Sequence, residues 1–160
     1  MEIVNVRIDE RLIHGQVAAF WTNKLSVGRI IVVNNDAIKN EIQKMALKMA
    51  TPVGVKLSII SVETAAKNLL ARKYEGQRVM IIVKEPKTLY ELLDKGVKLE
   101  EINVGNMSTK PGSTQVKKSV SVTKEDVEYF KKISNMGVRV IAQMVPTEEK
   151  IEFMKLIQNI

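Results

Sequence analysis

A chain of 160 residues with 45% hydrophobic and 27% charged side chains has the makings of one globular domain with a sizeable core. No apolar run approaches the roughly 20 residues that cross a bilayer, and Met1-Glu2-Ile3 carries no basic and apolar leader pattern, so export is not expected. The absence of cysteine excludes disulfides, thiolate nucleophiles and cysteine-ligated zinc, and suits a reducing cytoplasm, while the net charge of +7 favours acidic partners.

Residues 2–8 read as a strand through Ile3, Val4, Val6 and Ile8. A helix follows from about Gly15 to Lys24, with Val17, Phe20 and Trp21 predicted on one face. Arg29 to Val33 is a buried strand by its β-branched run, and Asn34-Asn35-Asp36 supplies turn and capping chemistry. The next helix carries Ile38, Ile42, Met45, Ala46 and Met49 on one predicted apolar stripe, and Thr51-Pro52-Val53-Gly54 stops it. Val55 to Ile60 is the third strand, and Ser61 caps a helix predicted to bury Ala65, Ala66, Leu69 and Leu70.

Arg78 to Val83 is a fourth, central strand; Lys84-Glu85-Pro86 opens a short helix with Leu89, Leu92 and Leu93, closed by Gly96. Glu101 to Val104 is a fifth strand, and 105–113 is the longest polar irregular stretch. Ser119 to Val122 alternates, as a strand near an edge does; Thr123 starts a helix with Val127, Phe130 and Ile133. Val138 to Val145 is the final strand, and Pro146-Thr147 opens a last helix with Ile151, Met154 and Ile157 inward. Alternating strands and helices predict a single α/β domain over 1–160: an open, twisted, mostly parallel sheet of about six to seven strands with helices on both faces. Every β-to-α loop then lies on one edge, which gathers His14, 34–36, Ser61, Lys84 and 105–113.

His14 is the one histidine, and it falls where the first strand runs into the first helix. An imidazole there is either an ordinary surface group, a nucleophile toward phosphorus, or a general base. The helix N-terminus beside it offers free N–H groups to an anion, and Gly15 and Gln16 occupy its first positions. Arg11 is either a surface charge or a fork for phosphoryl oxygens. Asp9 is a solvated strand end or a helix cap, or else it orients the His14 ring or tethers Arg11, and chain order alone leaves these open. The 105–113 loop lacks the G-x-x-x-x-G-K-[ST] pattern, and no G-x-G-x-x-G occurs; it is a mobile connection or a loop that covers the site or docks a partner. One histidine and no cysteine disfavour a metal site, and no cofactor is expected. The Lys and Arg residues are scattered rather than clustered, so most read as solvated helix faces.

The string Asp9-Glu10-Arg11-Leu12-Ile13-His14-Gly15-Gln16-Val17, with Trp21 a turn later, resembles the phosphorylation loop of the IIB component of the mannose–fructose–sorbose family of the bacterial sugar phosphotransferase system. The likeness continues through 32–36, 49–56, 84–86 and 102–107, although Gly105-Asn106 stands where the family often has two glycines and Asn35-Asp36 where it often has an acidic pair. The resemblance implies a cytoplasmic phosphocarrier, peripherally associated with a membrane permease. A IIA phosphohistidine would donate to His14, at Nδ1 in the family, and phospho-His14 would donate to a sugar in a IIC–IID complex. Arg11 then corresponds to the phosphate-stabilising arginine, Asp9 to its neighbouring acid, and the backbone at Gly15 and Gln16 to the phosphate cradle. The exposed helix faces permit a homodimer without requiring one. Two other readings stay in play: a nucleic-acid-binding α/β domain, supported by charge alone, and a small enzyme using His14 as a base.

Overall fold

The computed structural model describes residues 1–160. Nine strands and six α-helices follow in chain order: β1 (Glu2–Asp9), α1 (Gly15–Leu25), β2 (Arg29–Val33), α2 (Glu41–Ala50), β3 (Lys56–Ile60), α3 (Val62–Leu70), β4 (Arg78–Val83), α4 (Pro86–Asp94), β5 (Glu101–Asn106), β6 (Thr114–Lys117), β7 (Val120–Val122), α5 (Lys124–Asn135), β8 (Arg139–Ala142), β9 (Ile151–Glu152) and α6 (Phe153–Ile157). A 7-stranded sheet has the order β3-β2-β4-β1-β5-β8-β9, parallel except for the short antiparallel β9. It fulfils the expected α/β architecture.

The β-branched strands are buried on both faces, as a helix-covered parallel sheet requires. One core, of 11 buried residues including Leu12, Ile13, Ala18, Trp21, Leu47, Met80 and Ile82, lies on the face that α1 and α2 share. The larger core, of 30, gathers side chains of α3, α4, α5 and α6 on the other. Apolar packing of this extent is the main source of stability, since burial contributes about 25 cal/mol per Å².

β1 sits in the middle of the sheet between β4 and β5, and its C-terminal end feeds the His14 loop. The chain order reverses direction there, the position at which open α/β sheets form a crevice. The register between β1 and β5 pairs Ile8 with Val104 but Asp9 with Asn106, so Gly105 is an extra residue on β5 at the site edge.

Several sequence expectations change. The buried face of α1 is Ala18, Trp21 and Thr22, whereas Phe20 points outward. The predicted stripe on α2 also faces outward: Ile42 is 82% and Met49 85% exposed, and Leu47 alone is buried. A short 3₁₀ turn, Ala37–Lys39, precedes α2 and rotates the phase of the helix away from an unbroken run starting at Ile38. Asn34 does cap, but it caps that turn, through Asp36 and Ala37 N–H; Asn40 caps α2 and Asn35 accepts from Val62 N–H at the start of α3. Leu70 is exposed at the end of α3.

The alternating segment near 119–122 is no edge of the main sheet. It pairs with β6, unpredicted, as a separate antiparallel hairpin. The final strand stops at Ala142, and 151–152 extends as β9, so the last helix is short and buries Phe153 and Ile157 while Ile151 is exposed. Thr123 forms the expected cap, as a reciprocal box with Asp126.

Candidate active site

Two buried apolar side chains pin the loop between β1 and α1: Leu12 and Ile13 both enter the α1–α2 core. Leu12 N–H donates to the Asp9 carbonyl at 2.8 Å, and Leu12 adopts φ +62, which turns the chain so that Arg11 and His14 stay outside. A leucine in this left-handed region is strained, and such strain persists where packing over-determines it.

His14 occupies the N-cap position of α1 with extended backbone, and its carbonyl accepts from Ala18 N–H at 2.8 Å. No side chain caps the helix, so the N–H groups of the first turn, beginning at Gly15 and Gln16, face outward without a capping partner. The imidazole is exposed at this N-terminus. A Cβ on Gly15 would stand 3.6 Å from the Ala50 carbonyl, an ordinary contact, so neither space nor a positive φ demands glycine there.

Asp9 resolves one ambiguity left by the sequence. It is 1% exposed, and its carboxylate accepts from Arg11 Nε at 2.9 Å, Arg11 Nη2 at 2.8 Å and Arg11 N–H at 3.0 Å. It is a tether for Arg11 rather than a partner of the His14 ring. The Asp9 hydrogen bond raises the Arg11 pKa above the ordinary arginine value, with burial opposing it.

Arg7, which sequence reasoning passed over, lies beneath this pair. It is 1% exposed in the middle of the sheet. Nη2 donates to Asp9 Oδ2 at 3.4 Å and approaches Met144 Sδ at 3.3 Å, and Nη1 donates to the Gln143 carbonyl at 3.2 Å. Its guanidinium carbon stands 5.7 Å from the Trp21 ring centroid, and the Trp21 indole N–H donates to the Met144 carbonyl at 3.1 Å. Burial pulls the Arg7 pKa below its ordinary value, and Asp9 opposes that pull. The sequence signal was an arginine inside an otherwise buried strand, Val6-Arg7-Ile8. A cavity of about 10 Å³ is lined by Arg7, Asp9, Leu12, His14, Ala18 and Trp21 among others, so the buried charges and the exposed imidazole border one space.

Glu10 fastens the 105–113 loop. It accepts from Ser108 N–H at 3.1 Å and pairs with Lys110 Nζ at 2.8 Å, and its own N–H donates to the Asn106 carbonyl at 3.0 Å. Lys110 and Ser113 close a turn on each other, and Thr109 meets Ser121 at 2.9 Å. The loop is therefore a fixed wall beside the site. No group of three or more metal-ligating side chains is present.

Residues 3–160 match the family described as the PTS system sorbose subfamily IIB component. The mannose-specific EIIAB component of Escherichia coli (strain K12) is 39% identical over 160 residues; the match covers 100% of this chain and 50% of that protein, so the chain spans half the length of this relative. The sorbose-specific EIIB component of Lacticaseibacillus casei is 34% identical over 100% of this chain and 98% of its own length. The solved IIBSor domain of the sorbose permease from Klebsiella pneumoniae superposes with a TM-score of 0.94 at 30% identity, covering 99% of this chain and 97% of that one. The family match and the solved fold together define a component of the phosphotransferase system. Within that class the chain belongs to the sorbose-subfamily IIB family.

Proposed function

We propose that this IIB component accepts a phosphoryl group on His14 from a phosphohistidine of a IIA protein or domain and donates it to a sugar held in a membrane IIC–IID complex. The carrying observation is an exposed imidazole at an uncapped helix N-terminus, three residues along the same loop from an arginine held by a buried carboxylate. In the first step a neutral His14 ring nitrogen attacks phosphorus; the new N–P bond forms as the donor's N–P bond breaks, and the donor imidazole leaves with the electron pair. In the second step a sugar hydroxyl attacks phosphorus, the His14 N–P bond breaks with its electron pair staying on the imidazole, and the hydroxyl proton passes to solvent water as the sugar phosphate forms.

The residues supply alignment and charge neutralisation. Arg11, fixed by Asp9, meets phosphoryl oxygens through donors that Asp9 leaves free. The N–H groups at Gly15 and Gln16 take the remaining oxygens, with the helix terminus contributing roughly 0.3–1 kcal/mol. The weak, open cradle suits a group that must be passed on. No helix is long and apolar enough to cross a membrane, and the chain is proposed to work at the cytoplasmic face of the permease as a partner. Family membership does not favour the nucleic-acid reading, and the mechanism does not call for a homodimer.

The test incubates the protein with phosphoenolpyruvate, the two general phosphotransferase proteins and a IIA partner, followed by intact mass. An acid-labile gain of one phosphoryl group, lost in His14→Ala, is expected. A gain that survives in His14→Ala, or no gain from demonstrably phosphorylated sorbose- and mannose-type IIA proteins, overturns the reading.

A further inference from the structure

Arg7 is a buried charge that the proposed transfer does not touch. Burying an ion pair costs as much desolvation as it returns, and an apolar side chain of similar volume commonly serves stability as well. The fold nonetheless reserves a place for this guanidinium: the Gln143 carbonyl, Met144 Sδ and the Trp21 ring hold it, and a Cβ on Gly105 would collide with all three of its terminal atoms.

Charge explains what shape does not. The Asp9 carboxylate that aligns Arg11 also cancels its charge, because the two are locked at 2.8 and 2.9 Å. An aligned but neutralised arginine would give an incoming dianion little. Arg7 lies on the same carboxylate from beneath, so two guanidinium groups share one negative charge and a net positive charge remains at the surface. Buried, its field reaches the site through protein rather than through screening salt solution. An arginine keeps that charge at every physiological pH.

We infer that Arg7 is a positioning residue for the phosphoryl transfer, balancing Asp9 so that Arg11 is both aligned and electrically free. This inference rests on the phosphocarrier reading of His14. Glu148, the other carboxylate whose charge reaches Arg7, is paired with Lys117 at 3.1 Å, and Glu10 and Lys110 pair with each other, so the local balance rests on Asp9.

The experiment follows the rate at which phosphoryl appears on His14 in wild type, Arg7→Met, Arg7→Lys and the double variant Arg7→Met/Asp9→Asn, each checked for folding by circular dichroism and urea midpoint. Loss of the buried charge alone is expected to slow the rate by about tenfold or more, roughly one unit of charge interaction. Removing the carboxylate as well restores the net charge but loosens the tether on Arg11, and the double variant is expected to be at least about threefold faster than Arg7→Met while staying below wild type. Merely structural damage would accumulate instead, so a double variant no faster than Arg7→Met overturns the inference. Should Arg7→Met fail to fold, Arg7→Lys carries the comparison: charge without the fork is expected within about fivefold of wild type, and a loss beyond about tenfold overturns the inference. Wild type that gains no phosphoryl on His14 would refute the carrier reading itself, a separate outcome from a wild type that transfers while the variants show no rescue.

Discussion

Gly105 has no side chain because the Arg7 guanidinium stands where its Cβ would be. The extra residue that Gly105 inserts into β5, opposite Ile8 and Asp9, carries the backbone over the buried charge. Gly105→Ala is expected to destabilise the fold by about 1–3 kcal/mol through overpacking, read as a lower urea midpoint. It should also slow phosphoryl acceptance at His14 more than a remote substitution of equal stability cost such as Thr123→Ala, which removes the α5 cap at about 1 kcal/mol. Equal transfer rates in the two variants would contradict the coupling between Gly105 and the site.

Arg11→Ala separates function from stability. The side chain is 36% exposed, but Asp9 is 1% exposed and would keep only the 3.4 Å contact with Arg7, so the loss of stability is expected to be about 1–3 kcal/mol. The transfer rate is expected to fall by about 100-fold, the scale of losing an electrostatic donor aimed at developing charge. Parallel urea titrations and phosphorylation time courses check both halves.

The Lys110–Glu10 pair gives a pH signature. Its hydrogen bond to Glu10 raises the Lys110 pKa above the ordinary 10.5. The pair's contribution is therefore complete below that value and fades as pH climbs through the raised one. Lys110 is half exposed, so the difference in urea stability between wild type and Lys110→Gln is expected to be no more than about 0.5 kcal/mol at pH 8. That difference should shrink towards zero only above pH 10.5. A difference that vanishes near neutrality would place the pair elsewhere.

The outward turn of α2 is tested by two substitutions. Met49→Gln should change stability by less than about 0.5 kcal/mol, because the side chain is 85% exposed. Leu47→Ala, removing the buried side chain of the same helix, should cost about 2–4 kcal/mol. Equal costs by thermal or urea unfolding would restore the stripe read from the sequence.

On the proposed phosphocarrier role, the net charge of +7 predicts steered, salt-sensitive encounters with an acidic surface on the IIA donor. Affinity for a IIA protein, measured by calorimetry between about 50 and 200 mM salt, is expected to weaken steadily with salt. A salt-independent affinity would remove electrostatic steering from the account.

The layered α/β architecture was legible because β2 and β4 are continuous β-branched runs and each helix that packs inward has a matching period. α2 misled because its apolar side chains have helical spacing whichever way the helix faces; only tertiary packing, with a 3₁₀ turn shifting its phase, decides the orientation. The β6–β7 hairpin went unseen because Thr114-Gln115-Val116-Lys117 is short and polar. At the candidate site, the sequence placed His14, Arg11, Gly15 and Gln16 at a strand–helix junction, and the structure has them there. Arg7 was not, because its meaning depends on Gln143 and Met144, far along the chain, and on a bulge that no local pattern announces.

The order of the strands also governs when the site comes into being. Within this sheet β1 comes first in chain order, yet its hydrogen-bonding neighbours are β4 and β5, and the carbonyl that receives Arg7 belongs to Gln143, after β8. On a ribosome the reactive loop therefore emerges early and waits, with its charged arginine unhoused, until nearly the whole sheet has been delivered. An interrupted chain would carry His14 but not the environment that arms it. On the proposed role, competence for transfer would therefore arrive only with the assembled sheet, not with the His14 loop itself.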